Sequence, residues 1–156
     1  MSDDAAEPNA RVLFRIERVD GTADVETPWA FDLGDDIYRL DECLFFAYSV
    51  SWNDEVYAPY DAKEKFPVFR RVHKKSGNRS IRLILDPPYE PGNSTDQLLE
   101  RLLNMNCSYE GATKRLFAIT IPPEIELSSI VEFLVEQEVE WEHSDPRYDE
   151  LYPDGE

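Results

Sequence analysis

The sequence predicts an α+β protein with two parts: an N-terminal, short-stranded antiparallel β subdomain, small and barrel-like, and a C-terminal ferredoxin-like unit of order β-α-β-β-α-β. Three observations lead to this fold class. Short apolar–polar alternations separated by turn residues fill residues 11–79, as is typical of antiparallel strands. Apolar residues at helical spacing form two stripes, both after residue 93. Strand-like runs flank these two stripes.

The composition is that of a folded protein, with 42% hydrophobic and 12% aromatic residues. We expect a flexible acidic tail at residues 1–10 and an irregular acidic tail at 144–156. Between them lie the β-rich subdomain at 11–79 and the ferredoxin-like subdomain at 80–143, which together form one compact unit. No 18-residue window is apolar and uncharged, so no segment should span a membrane.

The first predicted strand lies in "RVLFRIERV", where Val12, Phe14 and Ile16 share one face. The stretch "WAFDLGDDIYRLDECLFFAYSVSWNDEVYA" predicts several more short strands. A turn at Gly34-Asp35-Asp36 and another at Trp52-Asn53-Asp54 separate them.

A basic run, "FRRVHKKSGNRSIRLILD", follows and holds six of the chain's 16 Lys and Arg residues. It predicts two strands joined as a hairpin at Ser76-Gly77-Asn78, because Gly and Asn tolerate positive φ. Ile81, Leu83 and Leu85 should point into the core. Strand alternation scatters the cations over both faces, which does not favour a nucleic-acid groove. We expect these cations to neutralise the acidic surface around them.

The two helical stripes each carry a capping signal. Ser94 with Gln97 predicts a capping box at the start of the first helix, and Ser129 with Glu132 predicts one for the second. The alternation in "VEWEH" then predicts a last strand with Val139, Trp141 and His143 facing one way.

Several motifs together resemble the bacterial family known as domain of unknown function 4265. The motifs, in chain order, are Trp29-Ala30, Gly34-Asp35, Tyr38-Leu40, Leu44 to Ala47, Asp54-Val56-Ala58, Ser76-Gly77 and Ile81-Arg82. The resemblance covers roughly residues 11–143, and Asn78-Arg79 departs from it. It implies a bacterial source and supports the fold, but it implies no activity.

No motif indicates catalysis, a cofactor or a metal. Cys43 and Cys107 are far apart in the sequence and belong to apolar surroundings, so we expect buried, inert thiols. His73 and His143 are similarly isolated, which argues against a Cys-His enzyme or a zinc site. Two lone cysteines and an acidic N-terminus without signal-peptide order predict a cytoplasmic location. We therefore expect a non-enzymatic protein.

The formal net charge is −17, and from residue 124 onward twelve acidic groups face one cation, Arg147. Such a surface repels nucleic acid and attracts a basic protein partner. We expect the partner to be a bacterial toxin and the chain to be an immunity or antitoxin-type inhibitor that occludes its active site. The expected contact residues are Glu132, Glu136, Glu138, Glu140, Trp141, Glu142, Asp145, Tyr148, Asp149 and Tyr152.

Two alternatives stay open. Carboxylates spaced like phosphates would make the chain a nucleic-acid mimic that blocks a DNA- or RNA-binding protein. A deep pocket between the two subdomains, lined by groups such as Tyr38, Tyr57 and Arg82, would make it a small-ligand-binding protein.

Overall fold

The computed structural model describes residues 7–154, and residues 1–6 and 155–156 lie outside this range. It is a mixed α+β structure of mostly antiparallel sheets with three helices, which confirms the predicted class. Of the expected N-terminal tail, only its last residues are described. Ala10 already belongs to the first strand, and Asn9 donates its backbone N–H to the Ala30 carbonyl oxygen. The expected tail therefore ends earlier than residue 10.

The described N-terminal part has nine short strands. They are β1 (Ala10–Arg11), β2 (Phe14–Glu17), β3 (Ala23–Glu26), β4 (Trp29–Gly34), β5 (Ile37–Leu40), β6 (Glu55–Tyr57), β7 (Tyr60–Asp61), β8 (Phe66–Pro67) and β9 (Arg71–Lys74). Five of them form one sheet in the order β1-β4-β5-β6-β9, while β2-β3 and β7-β8 are separate two-stranded hairpins. A parallel bridge between Leu13 and Val68 connects the segments next to the two edge strands.

The core of this part is built from the alternation seen in the sequence. Val12 and Phe14 are buried, and the Phe14 ring stacks on Phe69 with centroids 4.5 Å apart. Leu40 and Val56 on the central strands are fully buried in the same cluster. The apolar residues at alternate strand positions thus lie on one face, as period-2 patterning requires.

The C-terminal part alternates strands and helices. Its elements are β10 (Arg79–Ile84), α1 (Ser94–Asn104), β11 (Ser108–Gly111), β12 (Leu116–Ile121), α2 (Leu127–Glu136), β13 (Glu140–Asp145) and α3 (Tyr148–Leu151). The four strands form an antiparallel sheet in the order β11-β12-β10-β13. The last strand, β13, is therefore an edge strand whose one partner in the sheet is β10.

Helices α1 and α2 cover one face of this sheet. Ile81, Leu83 and Leu85 point to that face and are buried, as expected, against Leu99 of α1 and Leu134 of α2. The opposite face carries Arg82, Ala118 and Thr120, which are also buried. That second face lies against the segment at residues 41–50, where Cys43 Sγ is 3.4 Å from Thr120 Oγ1.

The predicted hairpin at Ser76-Gly77-Asn78 is wrong. β9 pairs with β6 in the N-terminal sheet, whereas β10 pairs with β12 and β13 in the C-terminal sheet. The turn is a link between two sheets, and Gly77 has φ +95 as the turn prediction requires. Local turn chemistry specifies a reversal of the chain but does not specify which strands pair across it.

Both predicted capping boxes are wrong in position. The N-cap of α1 is Asn93, whose side chain accepts from Asp96 N at 2.9 Å. Helix α2 begins at Leu127 after Glu126, which forms no side-chain cap hydrogen bond. Ser129 therefore lies inside the helix. The stripes of apolar residues located the helices correctly, but the predicted N-caps Ser94 and Ser129 lie one and three residues past the observed N-caps.

The predicted irregular tail from residue 144 is also wrong. Strand β13 continues to Asp145, and Tyr148–Leu151 forms the short helix α3. A local hydrogen bond stabilises the start of α3, because the backbone N–H of Arg147 donates to Glu150 Oε1 at 2.7 Å. Within residues 7–154, no helix is long and apolar enough to cross a membrane.

Candidate functional site

A cleft of about 750 Å³ lies along the edge strand β13. This volume falls within the usual range for ligand and anchor-residue pockets, about 300–1,000 Å³. Its walls are aromatic and charged, being formed by Tyr48, Trp141, Glu142, His143, Arg147, Tyr148 and Asp149.

Strand β13 supplies one wall. Trp141 pairs with Leu83 and His143 with Ile81, so both rings lie on the helix-covered side of the sheet. Their centroids are 4.8 Å apart in an edge-to-face arrangement. Edge-to-face aromatic pairs are favourable beyond the area they bury, so this contact stabilises the arrangement of the two rings.

Tyr48 and Glu142 form the opposite wall. Glu142 pairs with Arg82 across β10, and the Tyr48 hydroxyl donates to Glu142 Oε1 at 2.9 Å. Burial, together with this carboxylate, raises the pKa of Tyr48. The hydroxyl therefore keeps its proton and remains a donor at neutral pH.

The third side of the cleft comes from α3 and the residue before it. Arg147 lies over the Tyr48 ring at 5.7 Å and pairs with Asp149 at 3.1 Å. The rings of Tyr148 and Tyr152 are in contact, tilted by 41° with centroids 4.9 Å apart. Of the residues that line the cleft, His143 is buried and all others are at least partly exposed, so the cleft is open to a partner.

His143 is the least exposed lining residue, at 8%. Its Nδ1 is buried and has no hydrogen-bond partner among the described residues. Burial lowers the pKa of His143, so the ring is neutral at pH 7. A neutral imidazole can accept one hydrogen bond through a ring nitrogen.

The predicted contact residues do not form one surface. Trp141, Glu142, Tyr148 and Asp149 line the cleft, and Tyr152 lies beside it. Glu138 and Glu140 instead line a separate groove of about 410 Å³ next to α1. Glu132 and Glu136 lie on α2 outside both. The acidic set is therefore distributed over a cleft, a separate groove and the surface of α2.

The prediction that Asp145 contacts a partner is wrong, because the residue is buried, with only 6% of its surface exposed. Lys75 Nζ is 2.7 Å from Asp145 Oδ2 and 2.7 Å from Asp54 Oδ2. Ser51 Oγ also donates to Asp145. These side chains form a joint between the N-terminal part and β13. Although burial by itself lowers the pKa of Lys75, its hydrogen bonds to the two aspartates raise it.

A cation from outside the acidic segment lies next to strand β13. Arg82 Nε lies 3.2 Å from Glu142 Oε2. Arg82 is 2% exposed and its guanidinium packs 4.5 Å under the Tyr48 ring. The predicted pocket of Tyr38, Tyr57 and Arg82 does not form, since neither tyrosine lines the cavity that Arg82 faces.

Three lining residues were not predicted as contacts: Tyr48, His143 and Arg147. Tyr48 is distant in sequence from β13, and nothing in its local pattern indicates a cleft. His143 was recognisable, because it shares the strand face of Trp141. Arg147 was recognisable as the lone cation of the acidic segment after residue 124.

The cysteines are buried free thiols, as expected. Burial raises the pKa of Cys43 to about 12 and that of Cys107 to about 11. Both are therefore protonated and poor nucleophiles at neutral pH. In the described part of the chain, no group of three or more His, Cys, Asp or Glu side chains is placed to hold a metal ion.

Comparisons with known proteins agree with this geometry at the level of fold. A crystal structure titled as that of a hypothetical protein from Neisseria gonorrhoeae has a TM-score of 0.72. It is 15% identical, and the alignment covers 89% of this chain and 96% of that one. The likeness shows the fold alone. No curated protein matches the chain. The model of a domain of unknown function, DUF4265, matches residues 26–144, so the chain belongs to the DUF4265 family.

Proposed function

We propose that this chain is a non-enzymatic, protein-binding protein of the cytoplasm that takes a basic side chain of its partner into the β13 cleft. The most concrete form is an immunity or antitoxin-type inhibitor that occludes the basic active site of a bacterial toxin. The observation that carries the proposal is the cleft lining, in which the aromatic rings of Trp141, Tyr48 and Tyr148 share one cleft with the carboxylates of Glu142 and Asp149.

An aromatic cleft with carboxylates is suited to a cation. Lys or Arg is attracted to the face of Trp or Tyr, by about 0.5–2 kcal/mol depending on solvation. Glu142 is half exposed and can pair with an incoming cation. The neutral ring of His143 adds a buried nitrogen without a partner among the described residues. Together these groups recognise a guanidinium or ammonium group better than an anion.

The overall charge acts over a longer range. At −17, the chain attracts a basic protein before contact and speeds association at low salt. The carboxylates outside the cleft, including Glu132, Glu136, Glu138 and Glu140, then act by steering rather than by contact. Steering explains why the acidic residues need not form one concave surface.

We also propose the finer fold assignment. The order β-α-β-β-α-β with the sheet β11-β12-β10-β13 supports a ferredoxin-like unit. The bridge between Leu13 and Val68 supports a small, barrel-like N-terminal sheet. The β13 cleft then lies at an edge of the ferredoxin-like unit, beside residues from the N-terminal part.

The experiment is affinity purification from the native host at low salt, with partners identified by mass spectrometry. We expect a basic protein in stoichiometric amount, lost from the double variant Trp141→Ala/Tyr148→Ala. The matched control is Glu132→Gln/Glu136→Gln, which reduces charge outside the cleft and should slow association while retaining the partner. Co-expression then tests inhibition, since the partner alone should arrest growth and the wild-type chain should restore it.

Two results would contradict the proposal. One is the absence of any stoichiometric basic partner at low salt. The other is a partner that survives loss of Trp141 and Tyr148 but is released by competing DNA, which would favour the nucleic-acid mimic.

A further inference from the structure

A second cavity, of about 290 Å³, lies on the other side of Tyr48. It is formed where the β2–β3 hairpin and the segment at 45–48 meet strands β10 and β13. Its lining residues are Ile16, Glu17, Arg18, Asp24, Phe45, Phe46, Tyr48, Arg82 and Glu142. Apolar rings and a buried guanidinium thus share one cavity.

Arg82 is the unusual residue of this cavity. It is 2% exposed, yet Nε, Nη1 and Nη2 form no hydrogen bond among the described residues. Its one ionic contact joins Nε to Glu142 Oε2 at 3.2 Å, which leaves the two terminal nitrogens free. A buried charged group without hydrogen bonds is costly, and such groups are rarely retained without a function.

The free edge of Arg82 has a defined ligand chemistry. Its two terminal N–H groups form a planar fork that matches the two oxygens of a carboxylate. The other charged groups of the cavity favour a ligand with a single negative charge. Asp24 is paired with Arg18 and Glu142 with Arg82, whereas Glu17 has no ion pair among the described residues. A phosphate dianion is repelled more strongly by these groups than a monoanionic carboxylate is.

The rest of the cavity indicates the body of the ligand. Ile16, Phe45 and Phe46 provide an apolar wall. A volume of about 290 Å³ is at the small end for ligand pockets, which favours a compact molecule. We propose that this cavity binds a small carboxylic acid with an apolar body, its carboxylate held by the terminal nitrogens of Arg82.

Tyr48 separates this site from the β13 cleft. Its ring covers the guanidinium at 4.5 Å and its hydroxyl is held by Glu142. Because the Arg82 nitrogens are buried, the ligand reaches them when the Tyr48 ring moves aside. Binding of the acid is measured on the isolated chain, so it does not depend on the protein partner proposed above.

The test is titration of the full chain with benzoate, followed by calorimetry and by ¹H–¹⁵N correlation spectra. We expect saturable binding, with shifts concentrated at Phe45, Phe46, Tyr48 and β10. Benzamide, which has the same shape without the charge, should bind at least about tenfold more weakly, because it cannot form a charge-assisted pair. Acetate and inorganic phosphate should also be weaker, the first for lack of an apolar body and the second because of its charge.

Variants separate the site from nonspecific binding. Arg82→Lys keeps the charge but loses the fork, and should weaken benzoate binding about tenfold. Arg71→Lys is the matched control, because Arg71 also stacks on a tyrosine, Tyr57, at 4.2 Å. Glu142→Gln removes the competing carboxylate and should tighten binding about threefold, which keeps the test informative even if Arg82 variants fail to fold.

Three results would overturn the proposal. They are no saturation by benzoate of either the wild type or Glu142→Gln up to about 10 mM, benzamide or phosphate binding as well as benzoate, and shifts that fall away from the cavity.

Discussion

Lys75 and Arg82 are two cations at the contact between the N-terminal part and the C-terminal sheet. Their side-chain N–H groups differ greatly in how many hydrogen-bond acceptors they find. Lys75 bonds Asp54, Asp145 and the Ser49 carbonyl oxygen, all within 3.0 Å. Among the described residues, Arg82 has one ion pair, and its two terminal nitrogens have no hydrogen-bond partner. A fully bonded ionic cluster holds a structure together, whereas a buried donor without an acceptor is available to a ligand. The comparison therefore separates a structural joint from a candidate binding site.

The largest expected effect is at the joint. Asp54 is fully buried and accepts from Lys75 Nζ, from Ser51 N at 2.8 Å and from Ser76 N at 2.7 Å. Asp54→Ala leaves buried donors unpaired, and we expect it to lower the free energy of unfolding by about 3–5 kcal/mol in urea denaturation. The control Asp61→Ala removes a partly exposed aspartate that also accepts from turn amides and should cost much less. Equal losses for the two variants would mean that the joint does not hold the sheets together.

The next largest effect is the loss, at alkaline pH, of the stability that Lys75 contributes. Its pKa is raised above 10.5, so the stability it contributes is fully present below pH 10.5 and is lost as pH rises through the folded-state pKa. We expect Lys75→Met to cost about 1–3 kcal/mol at pH 7, a figure reduced for the partial exposure of Lys75. That difference from the wild type should shrink above pH 10.5. Chemical denaturation at several pH values measures this difference. Lys74→Met, which removes the neighbouring exposed lysine, is the control, because the tyrosines titrate in it just as they do in Lys75→Met.

A smaller effect is expected at Arg82. Arg82→Met removes a poorly satisfied charge and leaves Glu142 half exposed to water. Because a buried ion can be replaced by an apolar residue of similar size at little cost, we expect a change within about 1 kcal/mol in either direction. A loss as large as that of Asp54→Ala, measured in the same urea experiment, would show that Arg82 is a structural cation like Lys75 and would remove the contrast between them.

The smallest effect concerns His143. Burial lowers its pKa below 6.5, so the stability contribution of the neutral ring is fully present above pH 6.5 and is lost as pH falls towards the folded-state pKa. We expect His143→Phe, which keeps ring packing against Trp141, to flatten the stability profile between neutral and mildly acidic pH. Thermal denaturation at several pH values measures this. His73→Phe, at an exposed position, should leave the profile unchanged; the opposite ranking would contradict the burial argument.

Much of the fold followed from local pattern, but the pairing did not. Alternation placed Ile81, Leu83 and Leu85 in the core, and helical spacing located α1 and α2. The sequence at Ser76-Gly77-Asn78 predicted a reversal but could not show that β9 and β10 join different sheets. Pairing depends on which distant strand buries more surface, and a turn motif contains no information on that.

The candidate site was predictable only within the acidic C-terminal segment that holds β13 and α3. Trp141 and Glu142 of β13 were expected contacts because they lie in one acidic, aromatic segment. Tyr48 could not be added from sequence, since its place in the cleft depends on the loop docking against the second sheet. Asp145 shows the converse error, because a charge in an acidic segment looks exposed until its distant partner Lys75 is known.

The sequence by itself determined the α+β class, the net charge of −17, the positions of α1 and α2 and the inert, isolated cysteines. These properties come from composition and short-range periodicity, which every residue carries with it. Only the tertiary structure decided that Asp145 is buried in an ionic joint with Lys75 and that four of the predicted contacts share a cleft with Tyr48. It also decided that Arg82 is buried with two terminal nitrogens that have no hydrogen-bond partner in the described part of the chain. Those outcomes depend on side chains tens of residues apart meeting at a sheet-to-sheet contact. Burial and hydrogen bonding at such a contact are properties of the packed chain, not of any segment.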